Sequence, residues 1–249
     1  MKRPFPAVLL VLSGLGLLHA SLFTDLCLRY VRPGLRPYLI ASGALLLVLG
    51  LASAALDRGR GSHAEHGGHG DTGHGHDHSA APRVAWLLFL PALSLLLYAP
   101  PALGSYTASR EPARAVAQQR HFEPLPAASP LPMTLTEFTS RVQQDRAQAI
   151  KGRSVTLTGF VTPDERGGGW YLTRIIFSCC AADAQSVKVR IHGSPALPAD
   201  TWVAVTGTWH PGGTLGTRSA PAALDAGTVE RVDKPVNAYT DDLPLTPSR

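Results

Sequence analysis

The sequence predicts an α+β chain: about three N-terminal transmembrane α-helices, then a small all-β, OB-like barrel domain with one preceding helix. Three observations predict it. Three long uncharged runs lie ahead of residue 105, a helix-capping pattern opens at Thr134, and short β-type segments separated by Gly, Pro and Asp follow. A mean hydropathy of +0.05 with 16% charged residues excludes a wholly disordered or wholly soluble chain.

Residues 1–104 read as a membrane domain. The runs near 5–23, 38–56 and 84–104 carry no charge, and each is long enough to cross a hydrocarbon core of about 30 Å at about 1.5 Å per residue. The third has Trp86 near one end and Tyr98 and Tyr106 near the other, as an aromatic belt would; Pro91 kinks it and Pro100-Pro101 end it. The first could be a secretory signal, but Leu18-His19-Ala20 is a poor cleavage site. Of the net charge of +5, residues 1–56 hold Lys2, Arg3, Arg29, Arg32 and Arg36 against Asp25, whereas residues 121–249 balance 12 basic against 12 acidic side chains. The basicity flanks the membrane and makes no phosphate-binding face, so no nucleic-acid partner is expected. The expected location is the cell membrane, multi-pass in the bilayer. Basic residues at the two sides nearly balance, so the expected orientation, with the N-terminus cytoplasmic and the C-terminal domain extracytoplasmic, rests on only a modest preference.

Between the second and third runs, residues 59–81 form a Gly/His/Asp loop without apolar periodicity. Residues 105–132, rich in Ala, Pro and Arg, have little to pack and read as a tether. Folding resumes over 133–240. Thr134 and Glu137 fit a capping box, and Leu135, Phe138, Val142, Ala149 and Ile150 recur at helical spacing up to Gly152. Strands follow at Ser154–Val161, Trp170–Phe177, Val187–Ile191, Thr201–Trp209 and Thr228–Val232, with a small sandwich as the competing arrangement. Residues 241–249 are a polar tail.

Two clusters carry candidate chemistry. His63, His66, His69, His74, His76 and His78 place six of the ten histidines in one flexible loop. Neutral imidazole is a borderline ligand for zinc, copper and nickel, and a loop that must order to bind gives a labile site; the plain alternative is a hydrophilic spacer. Cys179 and Cys180 are adjacent, so their thiols act together only if the strand ends or bulges there. Such a pair could bind a soft metal, exchange disulfides, close a vicinal ring, or simply pack in a tight connection. Asp183 fits an Asx-type cap of that turn or a hard ligand beside the thiols, and Arg174 is a candidate partner for it. His19, Asp25 and Cys27, in or near the first run, are intramembrane candidates. There is no P-loop, GxSxG, HExxH or paired-carboxylate site, so no catalytic residue is assigned and no enzyme is expected outside the cysteines. Three spans are few to enclose a solute path, which favours an accessory role.

The string from Arg174 through Cys179-Cys180-Ala181-Ala182-Asp183-Ala184, preceded by Gly159-Phe160-Val161 and followed by Trp202 to Gly207, resembles the YcgQ-like permease subunit family. Tyr30-Val31 with Pro33, the His-rich loop and the ending Val229 to Tyr239 with Pro235 are similar to it as well. The resemblance implies membrane spans, a His-rich loop, a C-terminal domain of unknown function marked by Cys-Cys-x-Ala-Asp-Ala, and partnership with a multi-span permease. On the residues themselves, the expected role is a membrane accessory subunit that assists transition-metal transport, with zinc or a similar ion held by the six loop histidines, Cys179, Cys180 and Asp183. The alternative is a membrane-tethered thiol-disulfide oxidoreductase using the two cysteines.

Overall fold

The computed structural model describes residues 5–24, 26–61, 103–164 and 167–245. The chain divides into two units, Met1–Ala102 and Leu103–Arg249.

In the first unit, α1 (Phe5–Leu18) continues through a π-helical turn, His19–Phe23, and α2 spans Arg36–Gly61. The two helices pack through glycines. A Cβ on Gly14 would come within 2.8 Å of the Gly43 carbonyl oxygen, and one on Gly50 within 2.8 Å of Val11 Cγ2. Close backbone approach of this kind lets helices associate by van der Waals contact where no hydrophobic force separates them from lipid. The turn is tied by Arg36, whose Nε donates to the Ser21 carbonyl at 2.7 Å. Leu12, Leu15, Leu45, Val48 and Leu51 face outward, a surface suited to hydrocarbon and costly in water. Among the described residues one helix, over Pro33–Leu56, is long and apolar enough to cross a membrane; its 24 residues reach about 36 Å. Ala7–Phe23 forms a shorter apolar helix. The third expected run lies outside the described residues except for Leu103 and Gly104.

The second unit is α+β. Its helices are α3 (Ser105–Arg110) and α4 (Leu135–Gln144). Its strands are β1 (Leu131–Pro132), β2 (Val155–Pro163), β3 (Trp170–Ile176), β4 (Gln185–His192), β5 (Trp202–Trp209) and β6 (Ala223–Arg231). They make a mixed six-stranded sheet in the order β1-β2-β3-β4-β6-β5, with β5 also pairing β2 from Val155↔Gly207 to Phe160↔Trp202. The β1–β2 and β4–β6 pairs are parallel and the others antiparallel. Alternation sends Val155, Leu157 and Val161 of β2, Trp170 and Leu172 of β3, and Val187, Val189 and Ile191 of β4 into one core, where Phe138 and Val142 of α4 join them. Trp170 is fully buried, and its indole N–H donates to the Ser194 carbonyl at 3.0 Å.

Three expectations are corrected. The helix of the capping box starts as expected, with the Glu137 N–H donating to Thr134 Oγ1 at 3.1 Å, but stops at Gln144 and not near Gly152. The carboxylate of Asp145 there accepts from the N–H groups of Ala147 and Ala149, turning the chain. The last strand begins five residues earlier than expected, at Ala223, because β6 bulges at Gly227, opposite Thr206 and Gly207 of β5, and resumes pairing beyond it; a Cβ at Gly207 would collide with the Asp225 carbonyl. Residues 105–132 are no free tether. The Asp200 carboxylate accepts from the N–H and hydroxyl of Ser105 at 2.6 and 2.7 Å, holding the start of α3. Beyond it, the Arg114 N–H donates to the Ser186 carbonyl, Gln144 exchanges bonds with Ala117 and Gln119, Arg141 reaches the Glu123 carbonyl, and Arg153 reaches those of Pro126 and Ala128.

Candidate functional site: the vicinal cysteine loop

Between β3 and β4 the chain leaves the sheet at Phe177 and re-enters at Gln185 through a short 3-10 turn, Ala181–Asp183. This is the strand end that two cooperating thiols require. Cys179 is exposed, Cys180 is half-buried, both are free, and their sulfurs lie 3.6 Å apart.

Asp183 organises the loop. Its carboxylate accepts from the consecutive N–H groups of Ser178, Cys179 and Cys180 at 3.0 to 3.3 Å. Partial loss of solvent disfavours the ionised carboxylate, but the N–H groups of Cys179, Cys180 and Ser178 and the Cys179 thiol outweigh it, so its pKa falls below the ordinary 3.8. The same charge acts in the opposite sense on sulfur. The hydrogen bond with Cys180, then that with Asp183, push the Cys179 thiol up to about 11. A thiol held protonated in this way is a poor nucleophile near neutral pH.

Arg174 does not pair with Asp183. It is buried, donating from Nη2 to the carbonyls of Asn237 and Thr240 at 2.9 and 3.0 Å, with its guanidinium 5.5 Å from the centre of the Trp202 ring. Burial lowers its pKa, and Asp241 and Asp242 oppose that. Its bonds fasten the C-terminal segment beside the loop: the Phe177 N–H donates to the Tyr239 carbonyl, and their rings stack at 5.1 Å.

The structure brings together Cys179, Cys180 and Asp183. His63, His66, His69, His74, His76 and His78 lie outside the described residues, as does Asp25; His19 is exposed on α1's π turn, stacked at 5.9 Å on Phe23. Among the described residues no three His, Cys, Asp or Glu side chains converge as a set that could hold a metal. Asp183 is an orienting acceptor whose two oxygens are engaged by backbone, leaving the two sulfurs as the donors on offer.

Two clusters escaped the sequence reading. His192 and His210 stack at 4.0 Å, and His210 Nδ1 lies 2.7 Å from Asp225 Oδ1; burial, then His210 and Arg190, lower the His192 pKa. Their positions in sequence carry no ligand spacing; the parallel β4–β6 register, with His192 opposite Asp225, and the antiparallel β5–β6 pairing that ends beside His210 unite them. The second is a cationic groove beside β4, taken up below.

No curated protein and no solved structure matches the chain. Residues 134–240, which hold α4, strands β2 to β6 and the Cys179–Asp183 loop, match the family described as the DUF1980 C-terminal domain.

Proposed function

We propose that this chain is a multi-pass membrane accessory subunit of a two-component permease, and that its C-terminal domain offers Cys179 and Cys180 as a capture pair for a soft transition-metal ion in transit. The carrying observation is the pair itself: two accessible sulfurs 3.6 Å apart on a loop pinned by three backbone bonds to Asp183. A tetrahedral ion with metal–sulfur bonds of about 2.3 Å sets two sulfurs about 3.8 Å apart, so the bite needs little adjustment. Two thiolates leave positions open, which water or a partner subunit would complete; an incompletely enclosed ion exchanges readily, as cargo must.

We read the curled sheet, with parallel β4–β6 and β5 returning to β2, as OB-like, with the loop at one end. The glycine-packed hairpin, with the third uncharged run, anchors it in the membrane with the domain extracytoplasmic. The YcgQ-like resemblance supports a permease partner. The raised Cys179 pKa opposes the oxidoreductase reading, which needs a free thiolate, and also means that a captured ion has to displace the thiol proton.

The test uses the full chain in detergent with Cd(II) as probe. A thiolate-to-cadmium charge-transfer band is expected, abolished in Cys179→Ser/Cys180→Ser. A band that survives in that variant, or none in the natural chain, removes the capture role. Failure of any polytopic protein to co-purify from native membranes removes the permease role.

A further inference from the structure

A groove of about 1070 Å³ runs between the Ser109–Val116 segment, the far end of α4 and the outer face of β2, β3 and β4. On that face the register sets Thr162 opposite Tyr171, Tyr171 opposite Arg190, and Thr173 opposite both Phe160 and Lys188. Thr162 is 1% exposed and Thr173 is fully buried, yet neither hydroxyl has a hydrogen-bond partner among the described residues. A buried hydroxyl left unpaired is costly, and Thr162 is one of the residues that line the groove.

The charge around it is predominantly positive: Arg110, Arg114, Lys188 and Arg218 line it against Glu111 and Asp164. Asp164 is paired with Arg190, with Nη1 to Oδ2 at 2.8 Å, and the Glu111 carboxylate accepts from the Ser186 hydroxyl at 3.2 Å and keeps its charge. Arg110 also lines the groove, with its guanidinium 3.6 Å from the centre of the Tyr106 ring. The side chains of Arg114 and Arg218 line the groove with no hydrogen-bond or ion-pair partner among the described residues. Lys188 also lines it, and its ammonium donates to the Glu111 carbonyl; burial lowers its pKa, with Glu111 opposing. Two unpaired guanidinium forks, a half-buried ammonium and an unsatisfied hydroxyl are the donors a tetrahedral oxyanion accepts from. The volume exceeds that of a bare ion and suits a small organic molecule.

We propose that this groove is a binding site for a phosphate ester, held by Arg114, Arg218, Lys188 and the Thr162 hydroxyl, separate from the cysteine loop. The ester reaches it either as a soluble metabolite or as a lipid headgroup.

Two arms separate these sources, both with the full chain. In neutral detergent at low salt, glycerol 3-phosphate is titrated by calorimetry. In nanodiscs, the unfolding midpoint of the domain is compared between phosphatidylcholine alone and phosphatidylcholine with phosphatidylglycerol. Saturable binding or a midpoint rise in at least one arm is expected, and the responding arm names the source. Arg114→Ala/Arg218→Ala should weaken the response by at least about ten-fold, and added salt should weaken it further. Thr162→Val, which keeps the shape and removes the hydroxyl, should fold with an unchanged or higher midpoint and bind several-fold less well. No response in either arm, or natural affinity in either variant, overturns the site.

Discussion

The protonation of Cys179 is the most exposed consequence of the loop geometry, and it yields a number. The thiol is pushed from its ordinary 9.0 to about 11, first by Cys180 and then by Asp183. In a Cys27→Ala background, Cys180→Ala combined with Asp183→Asn removes both causes, so the pKa should return towards 9.0. At pH 7.5 the thiolate fraction then rises about 100-fold. Intrinsic nucleophilicity falls with pKa with a Brønsted slope of about 0.4–0.5, costing about 8-fold over two pH units, so the net gain in rate towards a disulfide reagent is only about 10-fold.

The assay is the pH–rate profile for an aromatic disulfide reagent, with peptide mass mapping to separate Cys179 from Cys180. The natural loop should show no Cys179 midpoint below about pH 10, and the double variant one near 9. Cys180→Ala alone should move the midpoint further than Asp183→Asn alone, because the Cys180 hydrogen bond is the larger cause. A natural midpoint at or below 9, with fast reaction at neutral pH, would refute the reasoning and restore the oxidoreductase.

Three other outcomes follow from contacts described above. Because the Asp183 pKa is depressed in the folded loop, the order it confers is fully present above the ordinary 3.8 and lost as pH falls through the lowered value; hydrogen exchange of the Ser178, Cys179 and Cys180 amides should be protected on the first side and released on the second. Arg174→Met keeps the buried stem but orphans the Asn237 and Thr240 carbonyls, and should cost about 3 kcal/mol in urea unfolding followed by tryptophan fluorescence. Gly14→Leu should force α1 and α2 apart at the Gly43 contact, abolishing disulfide cross-linking between cysteines engineered on the two helices, while the C-terminal domain unfolds as before.

What could be read from the sequence was local. The helix cap at Thr134, the alternation of Val155, Leu157 and Val161, and the need for a strand end at Cys179-Cys180 each depend on neighbours within a few positions, and each is found in the fold, although Glu137 pairs with Arg141 and does not close the capping box. The 105–132 segment was misread because nothing in its composition marks it as packed. What fastens it is its own backbone, accepting from Arg141 and Arg153 and exchanging bonds with Gln144, side chains 18 to 27 residues away. β6 starts early for a related reason. Asp225 and Gly227 read as turn residues, yet strand pairing to β5 through a bulge and to β4 in parallel overrides that local preference. The groove was invisible to pattern reading because Arg114, Thr162, Lys188 and Arg218 come from four separate stretches.

The cysteine loop owes its position to residues that look expendable. Phe160, Ile175 and Phe177 of the sheet side meet Ala108 of α3 and Ala238 and Tyr239 of the C-terminal segment in a second small core, with Leu103 packed against it. Tyr239 is the common member: it stacks on Phe177, accepts the Phe177 N–H at its carbonyl, donates its hydroxyl to the Leu103 carbonyl at 3.3 Å and receives the Lys234 ammonium at 3.1 Å. The start of the domain, its C-terminal segment and the base of the thiol loop are therefore held by one ring. Leu103 enters a segment that is bonded down through α3 and packs against the cluster that holds Tyr239 and Phe177, two residues before Cys179. That continuity ties the start of the domain to the base of the cysteine loop, and the buried Arg174 holds residues 237–240 in the same cluster.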